Sequence, residues 1–557
     1  MSADTMDNTS WFSINISFHI LLTINLLNSV TSGSKLTILH TNDVHSEFEQ
    51  FNEFGLPCTK DDLINSQCFG GIARRFSAVR EARENNENVL FVDAGDAFQG
   101  TAWFDLYQGN ATAHLMNYLG YDAMAVGNHE LDNGVAGFVP FLKNVNFPVL
   151  SCNMDTTGEP SLTYLIKKSV VLEIGGEQIG VIGYTTSLAP MLTNTGKLQF
   201  EDEVEAVQRE VNRLTADGVN KIIAVGHSGY GVDLDIAAKV TGVDVIVGGH
   251  SSSFLYTGTP PTNDIPVGLY PTIVQSDIDP AHTTLVVTAY MHGKYLGFLQ
   301  VEFDEEGTIR HFNGNPILLD SKIKEDKDAL IEISKWRKGV NNYLPNIVGE
   351  SFVLLKGAFN YCEDKECGLG NLVADAMVWK SMVNQGSRGW SDVGVAMING
   401  GAIRSSLNTG KLLERDVLAL VPFKSTIRKV ELKGFRLLQV IEASIVRYGT
   451  LFQSGSFFQV SGILLDMNVS QPVGNRVTSM YVRCTECLEP EYEPLDLFKT
   501  YFVLVPSFIS DGGDGMSIFI EDTLSTIDTG ILLMDAIKDY IQTHSPIIYG
   551  KERRIVL

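Results

Sequence analysis

The chain has 557 residues, too many for one ordinary hydrophobic core, since domains usually contain roughly 100–200 residues. Apolar residues make up 44% and charged residues 19%, which excludes collagen-like, coiled-coil and disordered chains. With 66 acidic against 42 basic residues the net charge is -24, so the mean field repels polyanions and we expect no nucleic-acid polymer as a partner. A small anionic substrate is still compatible with this net charge, because a metal ion or a local arginine can reverse the electric field inside one cleft.

Residues 1–33 are typical of a secretory signal peptide. An apolar run, ISFHILLTINLLNSV, is followed by small residues near position 33, where we expect cleavage. The run is shorter than the ~20 apolar residues of a membrane-spanning helix. Because the first ten residues contain no Lys or Arg, a signal anchor and a true start at Met6 are the alternatives. The chain ends in KERRIVL, without the spacer and hydrophobic tail that specify a lipid anchor, so we expect a secreted protein with no membrane span.

Short apolar runs alternate with amphipathic segments over residues 34–321, which predicts a layered α/β domain. The predicted strands are, in chain order, KLTILH, NVLFVDAG, AMAVGN, PVLSCN, IGVIGY, KIIAVGH and DVIVGGH, with helices at 71–83 and 201–216. A charged segment within 322–350 predicts a linker helix. Residues 351–550 form a second mixed α/β region, with strands in VGVAMIN, FFQVSGILLDM and YFVLVPSF and helices at 369–383 and 433–447.

Six of the seven cysteines lie in pairs that are close in sequence, namely Cys58 and Cys68, Cys362 and Cys367, and Cys484 and Cys487. Three local disulfide bonds formed in an oxidising compartment account for this spacing and leave Cys152 over. A zinc or redox site is the alternative for Cys484-x-x-Cys487, although the sequence has no second Cys-x-x-Cys. Asn110 and Asn468 begin glycosylation sequons, which are compatible with secretion.

Polar clusters follow five of the predicted strands at the points where these strands end. The clusters are His40-Thr-Asn-Asp43-Val-His45, Asp93-Ala-Gly-Asp96, Gly127-Asn128-His129-Glu130, Gly226-His227 and Gly249-His250. Ligands of open α/β sheets bind outside the carboxyl ends of the strands, so we expect all five clusters to converge on one crevice. A single histidine is more often a surface or satisfied residue than a ligand. We expect a structural role for the histidines outside this setting, which are His19, His114, His282, His292, His311 and His544.

The residues in these clusters predict a dinuclear metal site. Mixed nitrogen and oxygen ligands suited to two ions such as Zn2+, Mn2+ or Fe2+ are offered by Asp43, His45, Asp96, Asn128, His227 and His250. A carboxylate such as Asp96 can bridge two ions, and a pair ~3.5–4 Å apart can clamp a phosphoryl group and activate water. We expect zinc, with manganese, magnesium or calcium as alternatives. His129 adjoins Asn128, and Asp132 at i+3 can orient its imidazole; we therefore predict that His129 is a transition-state stabiliser or general acid.

The order of motifs Asp-x-His, Gly-Asp-x-Phe-Gln-Gly, Gly-Asn-His-Glu-x-Asp, Gly-His-Ser and Gly-Gly-His-Ser resembles a known family. It is similar to that of the calcineurin-like metallophosphoesterases and, within them, the secreted or surface 5'-nucleotidase family, which includes UDP-sugar hydrolases and salivary apyrases of blood-feeding arthropods. The resemblance covers residues 35 to 550. It implies a four-layer αββα metallophosphoesterase domain and a C-terminal mixed α/β nucleotide-binding domain, with a hinge in the linker at 322–350.

The resemblance also implies roles for single residues. Asp43, His45 and Asp96 bind one metal, Asp96 bridges to a second metal held by Asn128, His227 and His250, and His129 and Asp132 form the catalytic dyad. Asn399 and Arg404 match a loop that supplies an Asn and a phosphate- or ribose-facing Arg. Asp514 matches a carboxylate that holds the ribose, and Phe423 and Phe508 match two aromatic residues that sandwich the base. Without the resemblance, plain core packing is the ordinary role of such phenylalanines.

Three positions depart from the family pattern. Many ecto-5'-nucleotidases have Arg at the positions of Glu47 and Glu363, and commonly Asn at the position of Ser252. Two usual cations are therefore carboxylates, which weakens the expected affinity for a terminal phosphate. The predicted activity is hydrolysis of nucleoside 5'-monophosphates such as AMP. An apyrase acting on ATP and ADP, and a non-catalytic nucleotide-binding protein, are the alternatives, and a homodimer through the C-terminal domain is a further expectation.

Overall fold

The computed structural model describes residues 33–383, 390–451 and 455–557, which form two α/β units. The predicted signal peptide lies outside the described residues, except for its last residue. Over these ranges, none of the helices has the length and apolar character needed to cross a membrane.

An eight-stranded mixed sheet is the first layer of the N-terminal domain. Its strands lie in the order Ile309–Gly314, Tyr295–Phe303, Ser34–Thr41, Val89–Asp93, Ala123–Ala125, Val149–Leu150 and Ile166–Lys167, with Ile317–Leu318 paired beside Tyr295–Phe303. Strand Ser34–Thr41 is parallel to Val89–Asp93 and antiparallel to Tyr295–Phe303. The central strands are almost continuously apolar because both of their faces are buried.

A six-stranded sheet packs against the first through a shared apolar core. Its order is Thr272–Gln275, Thr283–Val287, Val245–Gly248, Ile222–His227, Glu177–Thr185 and Ser169–Ile174. Helices Glu203–Ala216 and Tyr230–Lys239 cover its outer face. The outer face of the first sheet is covered by Ile72–Asn85, Ala102–Tyr107, Gly109–Leu119 and Gly134–Asn144. The resulting order of helices, sheet, sheet and helices is the αββα arrangement that the resemblance implies.

The C-terminal domain contains a five-stranded and a four-stranded sheet. The larger sheet has the order Phe458–Ser461, Val395–Asn399, Thr500–Pro506, Thr426–Lys433 and Ser525–Leu532, and the smaller one Tyr492–Pro494, Val477–Arg483, Ile463–Met467 and Ile555–Val556. Helices Gly368–Val383 and Leu533–His544 contribute to the core on one face of the larger sheet, and Gly434–Ser444 to the core on the other. This mixed architecture agrees with the predicted second α/β region.

One predicted strand is two strands in the structure. The run FFQVSGILLDM divides at Gly462 into Phe458–Ser461 and Ile463–Met467, which belong to different sheets. Gly462 has φ +71, and a Cβ there would lie 1.9 Å from the carbonyl oxygen of Gly394. Only glycine fits this conformation and this close approach. The chain therefore passes from one sheet to the other at Gly462, although the apolar pattern on both sides resembles a single strand.

The helix predicted in the linker spans Lys327–Asn342 and packs on the N-terminal domain. Ile333 and Val340 join the core beneath the first sheet. Tyr107 Oη donates to the Trp336 carbonyl at 2.8 Å, and Arg80 pairs with Asp326 at 2.6 Å. The helix is thus fixed to one domain, and the short segment 343–346 connects it to the first strand of the other.

Shorter elements and three disulfide bonds complete the fold. Paired short strands are Gln50–Phe51 with Phe69–Gly70, Met154–Asp155 with Gln199–Phe200, and Ile347–Ser351 with Gly410–Leu413. Short helices are Lys60–Ile64, His129–Leu131, Pro160–Leu162, Ala189–Leu192, Gly400–Ala402, Glu414–Leu420, Ser507–Ser510, Gly513–Gly515 and Ile518–Glu521. The disulfide bonds join Cys58 to Cys68, Cys362 to Cys367 and Cys484 to Cys487, as the spacing predicts, and Cys152 is buried and free.

Replacing Arg554 by Ala is expected to destabilise the C-terminal domain by about 2–4 kcal/mol, because it breaks a largely buried ion pair. The Arg554 guanidinium donates to both carboxylate oxygens of Asp375, at 2.8 and 2.7 Å, and to the Val460 carbonyl at 2.8 Å. Calorimetry of Arg554→Ala against Arg553→Ala, an exposed neighbour, measures this effect. Equal unfolding temperatures for the two variants would refute it.

Candidate functional site

A cavity of about 1130 Å³ lies between the two domains. Asp43, Asn128, His129 and His250 line it from the N-terminal side, and Asn399, Arg404, Phe423, Phe508 and Asp514 line it from the C-terminal side. The strand-end clusters meet here because Ser34–Thr41, Val89–Asp93 and Ala123–Ala125 are parallel in one sheet, as are Ile222–His227 and Val245–Gly248 in the other. Their carboxyl ends therefore open on the same crevice.

The side chains predicted to bind metal form two groups that share one carboxylate. Ligand atoms of Asp43, His45 and Asp96 lie within 4.8 Å of one another, and the same holds for Asp96, His227 and His250. Asn128 joins the second group, since its Oδ1 lies 2.9 Å from His250 Nδ1. The geometry is that of two adjacent cation sites with Asp96 between them.

Backbone carbonyls set the orientation of two of these histidines. His45 Nδ1 donates to the Phe98 carbonyl at 3.1 Å, and His227 Nδ1 donates to the Ala94 carbonyl at 2.6 Å. Each ring therefore directs the lone pair of Nε2 into the site. A neutral His227 Nε2 and Asp96 Oδ2, 2.9 Å apart, are both acceptors, and only a proton or a cation between them removes their repulsion. The donor set thus fits divalent metal.

The electrostatics of the site favour positive charge. Burial alone lowers the pKa of His227, but the carboxylates of Asp96 and Asp43 outweigh it and raise that pKa to about 10. Asp43 and Asp96 are 1% and 2% exposed, and burying ionised carboxylates without a cation is costly. A divalent ion bound between these residues would supply positive charge in place of the proton that the carboxylates otherwise attract.

The loops that carry the ligands have strained backbones held by hydrogen bonds. Asp43, His45, Asp96 and His250 have φ of 50, 52, 56 and 75 degrees, a region that costs non-glycine residues about 1–3 kcal/mol each. The buried Glu130 carboxylate accepts from the backbone N–H groups of Asp96, Ala97, Phe98 and Gly127. Glu130 therefore holds the loop that carries Asp96. In the sequence, only its position next to His129 indicates that Glu130 belongs to the site.

His129 and Asp132 form a hydrogen-bonded pair that faces the metal-binding side chains. His129 Nδ1 lies 2.8 Å from Asp132 Oδ2, and its Nε2 lies 3.9 Å from Asp96 Oδ2. Burial lowers the pKa of His129, but Asp132 and Asp96 outweigh it and raise the pKa overall. Gln99 and Thr193 fix the Asp132 carboxylate with hydrogen bonds of 2.8 Å each. Gln99 lies in the Gly-Asp-x-Phe-Gln-Gly motif, whereas no sequence signal marks Thr193.

The C-terminal side chains reach into contact with the N-terminal ones. Arg404 Nη2 donates to His45 Nε2 at 3.1 Å, and the Phe423 ring stacks on His129 with centroids 5.7 Å apart. Asn399 Nδ2 donates to Asp514 Oδ2 at 2.8 Å. A Cβ on Gly513 would lie 2.5 Å from the Phe508 ring, so this glycine lets the ring lie flat against the backbone. The five residues predicted to hold a nucleotide therefore share one cleft with the candidate metal site.

Two of the three departures from the family pattern lie in this cleft. Glu363 and Ser252 line the cavity, whereas Glu47 is outside its lining. Burial raises the pKa of Glu363 to about 7, while Arg404 lowers it and Asp514 raises it. Burial also raises the pKa of Glu47 to about 8, against the opposing influence of Arg75. Among the two carboxylates at usually cationic positions, Glu363 is thus the one placed to act on a substrate.

His292, for which a structural role is expected from sequence, lies next to the candidate metal site. Its backbone N–H donates to the Asp43 carbonyl at 2.7 Å, and its ring centroid lies 5.9 Å from that of His45. No strand-end motif precedes it in the sequence, so only the folded chain reveals this position.

Comparisons with known proteins agree with this geometry. The family model for calcineurin-like phosphoesterase matches residues 36–253, and that for the 5'-nucleotidase C-terminal domain matches residues 347–521. The 5'-nucleotidase of Mus musculus is 44% identical over 94% of this chain and 91% of its own length. The snake venom 5'-nucleotidase of Gloydius brevicauda is 43% identical over 95% of this chain and 90% of its own.

A solved structure gives the same result. The crystal structure of the 5'-nucleotidase precursor from Thermus thermophilus superposes with a TM-score of 0.84 at 35% identity, covering 94% of this chain and 99% of that one. Sequence, fold and the arrangement of the cleft therefore agree that this chain belongs to the 5'-nucleotidase family of metallophosphoesterases.

Proposed function

We propose that the protein is a metal-dependent 5'-nucleotidase that hydrolyses nucleoside 5'-monophosphates such as AMP to nucleoside and phosphate. The observation that carries the proposal is the shared cleft. Two cation sites joined by Asp96 face the His129–Asp132 pair, and two phenylalanines and a carboxylate suited to a nucleoside lie opposite. The relatives named 5'-nucleotidase over most of the chain support the same activity.

Each cation has its own set of side chains in this proposal. Asp43, His45 and Asp96 hold one ion, and Asp96, Asn128, His227 and His250 hold the other. Bound ions of this kind supply positive charge to phosphoryl oxygens and lower the pKa of water. Mixed imidazole and carboxylate ligands are common for zinc, so we propose zinc, with manganese, magnesium or calcium as the alternatives.

The protein's own groups position the substrate and stabilise charge. His129, whose ring is oriented by Asp132 and whose pKa Asp132 and Asp96 raise against the effect of burial, stabilises negative charge on the phosphoryl oxygens or protonates the leaving oxygen. Arg404 pairs with phosphate or ribose oxygens, and Asp514 accepts from the ribose hydroxyls. Phe423 and Phe508 stack on the base, a contact that tolerates different bases because every base has an aromatic face.

Glu363 favours a monophosphate over the ATP and ADP of an apyrase. Its carboxylate lies in the cleft within the electrostatic reach of Arg404 and Asp514. With a pKa of about 7, this carboxyl group is ionised in part of the molecules at neutral pH, and its negative charge then offsets the attraction of Arg404 for additional phosphates. We therefore propose AMP-like substrates ahead of polyphosphates.

We propose that the protein is secreted. Three disulfide bonds indicate an oxidising compartment, and both sequon residues, Asn110 and Asn468, are exposed. The relative from Gloydius brevicauda is named as a snake venom protein, which supports export.

We further propose a homodimer through the C-terminal domain. Large apolar side chains are exposed there, including Phe498 at 82%, Ile520 at 63% and Leu524 at 56%. A second copy that covers these side chains would remove their apolar surface from water.

The wild-type chain is expected to carry two divalent ions, and His250→Ala only one, because His250 belongs to a single cation site. Asp96→Ala is expected to lose both ions, since Asp96 belongs to both sites. Elemental analysis after gel filtration measures the content, with His311→Ala, an exposed histidine, as the control. Equal metal content in His250→Ala and Asp96→Ala would contradict the shared-carboxylate arrangement.

His129→Ala is expected to lower kcat by about 10²–10⁴-fold, the usual contribution of a general acid or base. Its metal content and unfolding temperature should match those of the wild type, because His129 is not a proposed ligand. Phosphate release under saturating AMP gives kcat, and His114→Ala, whose imidazole pairs with Glu332 at the surface, is the control. Wild-type activity in His129→Ala would remove it from the catalytic machinery.

Glu363→Arg is expected to tighten ADP and ATP binding at least tenfold, because a cation replaces the carboxylate beside Arg404, whereas Glu363→Gln should give a smaller gain. Phosphate release from AMP, ADP and ATP, each with and without a chelator, tests both the activity and this discrimination. Chelator-sensitive release mainly from AMP is the expected wild-type result. Release mainly from ATP and ADP would make the protein an apyrase, and no release from any of the three would leave only nucleotide binding.

A further inference from the structure

A completely buried tyrosine–aspartate pair lies between the second sheet of the N-terminal domain and one of its helices. Tyr184 is on strand Glu177–Thr185 and Asp233 is on helix Tyr230–Lys239, and both side chains are 0% exposed. Tyr184 Oη donates to Asp233 Oδ1 at 2.6 Å. Carboxyl groups are rarely buried completely, because the loss of their hydration is costly. Apolar side chains would fill the same space at lower cost, so the pair indicates a role beyond core packing.

The Tyr184 ring lies on the backbone just before His227, a proposed metal ligand. Tyr184 and Gly226 are register partners in two parallel strands. A Cβ on Gly226 would lie 1.8 Å from Cζ of the tyrosine ring, so the ring occupies the space that a side chain would need there. Gly226 directly precedes His227 in the sequence.

The Asp233 carboxyl group lies in the same way on the next strand. Gly226 is the register partner of Gly248, and a Cβ on Gly248 would lie 1.9 Å from Asp233 Oδ2. His250, another proposed ligand, follows two residues later. One hydrogen-bonded pair thus covers two neighbouring glycines, each of which comes shortly before a histidine of the same cation site.

The helix that carries Asp233 also contacts the chain after His250. The backbone N–H of Tyr230 donates to Ser251 Oγ at 3.0 Å. The helix therefore contacts the turn at residues 248–251 on both sides of His250. Because Gly248 and Gly249 leave the backbone of this turn conformationally free, its position depends on such contacts from outside.

The pair and the ligand His227 lie on opposite faces of the sheet. Successive side chains of a strand point to opposite faces, so Tyr184 faces the helix and His227 faces the first sheet. There His227 Nδ1 donates to the Ala94 carbonyl at 2.6 Å. A displacement of the pair on one face moves the shared backbone and with it the imidazole on the other face.

We propose that Tyr184 and Asp233 are positioning residues for the cation site formed by Asp96, Asn128, His227 and His250. The inference rests on the metal site of the proposed function and not on the identity of the substrate. All of these residues belong to the N-terminal domain, so the role does not depend on where the C-terminal domain stands in an open or a closed cleft. Asp43 and His45 follow a strand of the other sheet, so we expect the pair to act mainly on one of the two ions.

Tyr184→Phe, which keeps the ring and removes the hydroxyl group, is expected to weaken the binding of one zinc ion about 10–100-fold, the usual effect of changes next to metal ligands. Asp233→Ala should do the same, and the other ion should be little affected in both variants. Equilibrium dialysis against zinc buffers of graded free Zn2+, followed by elemental analysis, gives one midpoint for each ion and requires no substrate.

Two further variants separate positioning from a general loss of stability. Asp233→Asn keeps an oxygen that accepts from the Tyr184 hydroxyl group and should restore the wild-type midpoints. Tyr295→Phe breaks another buried tyrosine–aspartate hydrogen bond of the same domain, from Tyr295 Oη to Asp264 Oδ2 at 2.8 Å. It should lower the unfolding temperature as Tyr184→Phe does and leave both zinc midpoints unchanged.

Wild-type midpoints in Tyr184→Phe, equal weakening of both ions, or the same weakening in Tyr295→Phe would overturn the positioning role. Tyr184→Phe decides the matter if Asp233→Ala does not fold. Selective weakening of one ion in Tyr184→Phe, together with no AMP hydrolysis by the wild type, would overturn the proposed function and support the positioning role. A wild type that binds fewer than two zinc ions would overturn the metal site on which both proposals rest.

Discussion

The candidate site depends on one constraint: its buried carboxylates, Asp43 and Asp96, need positive charge nearby. Asp43 and Asp96 are almost completely buried, and an ionised carboxylate in such surroundings is costly unless a cation or hydrogen bonds compensate it. Backbone carbonyls accept the Nδ1 protons of His45 and His227, so the Nε2 of each ring faces the site. At His227 this nitrogen attracts either a cation or a proton, as its raised pKa indicates. Divalent cations bound by these oxygen and nitrogen atoms would compensate the negative charge, and bound cations of this kind suit the site to phosphoester chemistry.

The proposed metal ligands and the proposed nucleoside-binding side chains belong to different domains. The ligands come from strand ends of two sheets packed face to face, so the core between those sheets fixes their spacing. The side chains proposed to bind base and ribose come from the other domain, and two contacts across the seam between the domains, Arg404 with His45 and Phe423 with His129, bring them next to the candidate metal site. Under the proposed function, chemistry at phosphorus and selection of the substrate could therefore vary independently. Glu363 is a departure from the family pattern on the C-terminal side of the cleft, while the side chains proposed to bind metal are all present.

The sequence predicts the features that depend on local pattern. The strand-end clusters are visible because an apolar run followed by Asp, Asn or His is a local signal, and parallel strands bring such ends together. The residues proposed to bind the nucleotide, Asn399, Arg404, Phe423, Phe508 and Asp514, are identified only through resemblance, since a phenylalanine in an apolar run looks the same whether it stacks on a base or fills a core. The linker helix is predicted from a charged segment that favours a helix, but this composition does not say which domain the helix packs against.

The residues that sequence reasoning misses act through contacts between distant parts of the chain. Thr193 holds Asp132, and His292 lies against His45; neither belongs to a motif that a local reading detects. Gly462 looks like an interruption in one strand, although it marks the passage between two sheets. Such roles depend on tertiary packing, which brings distant residues into contact and produces no recognisable local pattern in the sequence.

A crystal structure with a non-hydrolysable AMP analogue, recorded with anomalous scattering, tests most directly whether one cleft joins a dinuclear metal centre to a nucleoside site. We predict two metal peaks ~3.5–4 Å apart, one on each side of Asp96, with the phosphonate next to them and the base between Phe423 and Phe508. A single peak, or an analogue bound with its base away from these two rings, would contradict the claim that one cleft joins a dinuclear centre to a nucleoside site.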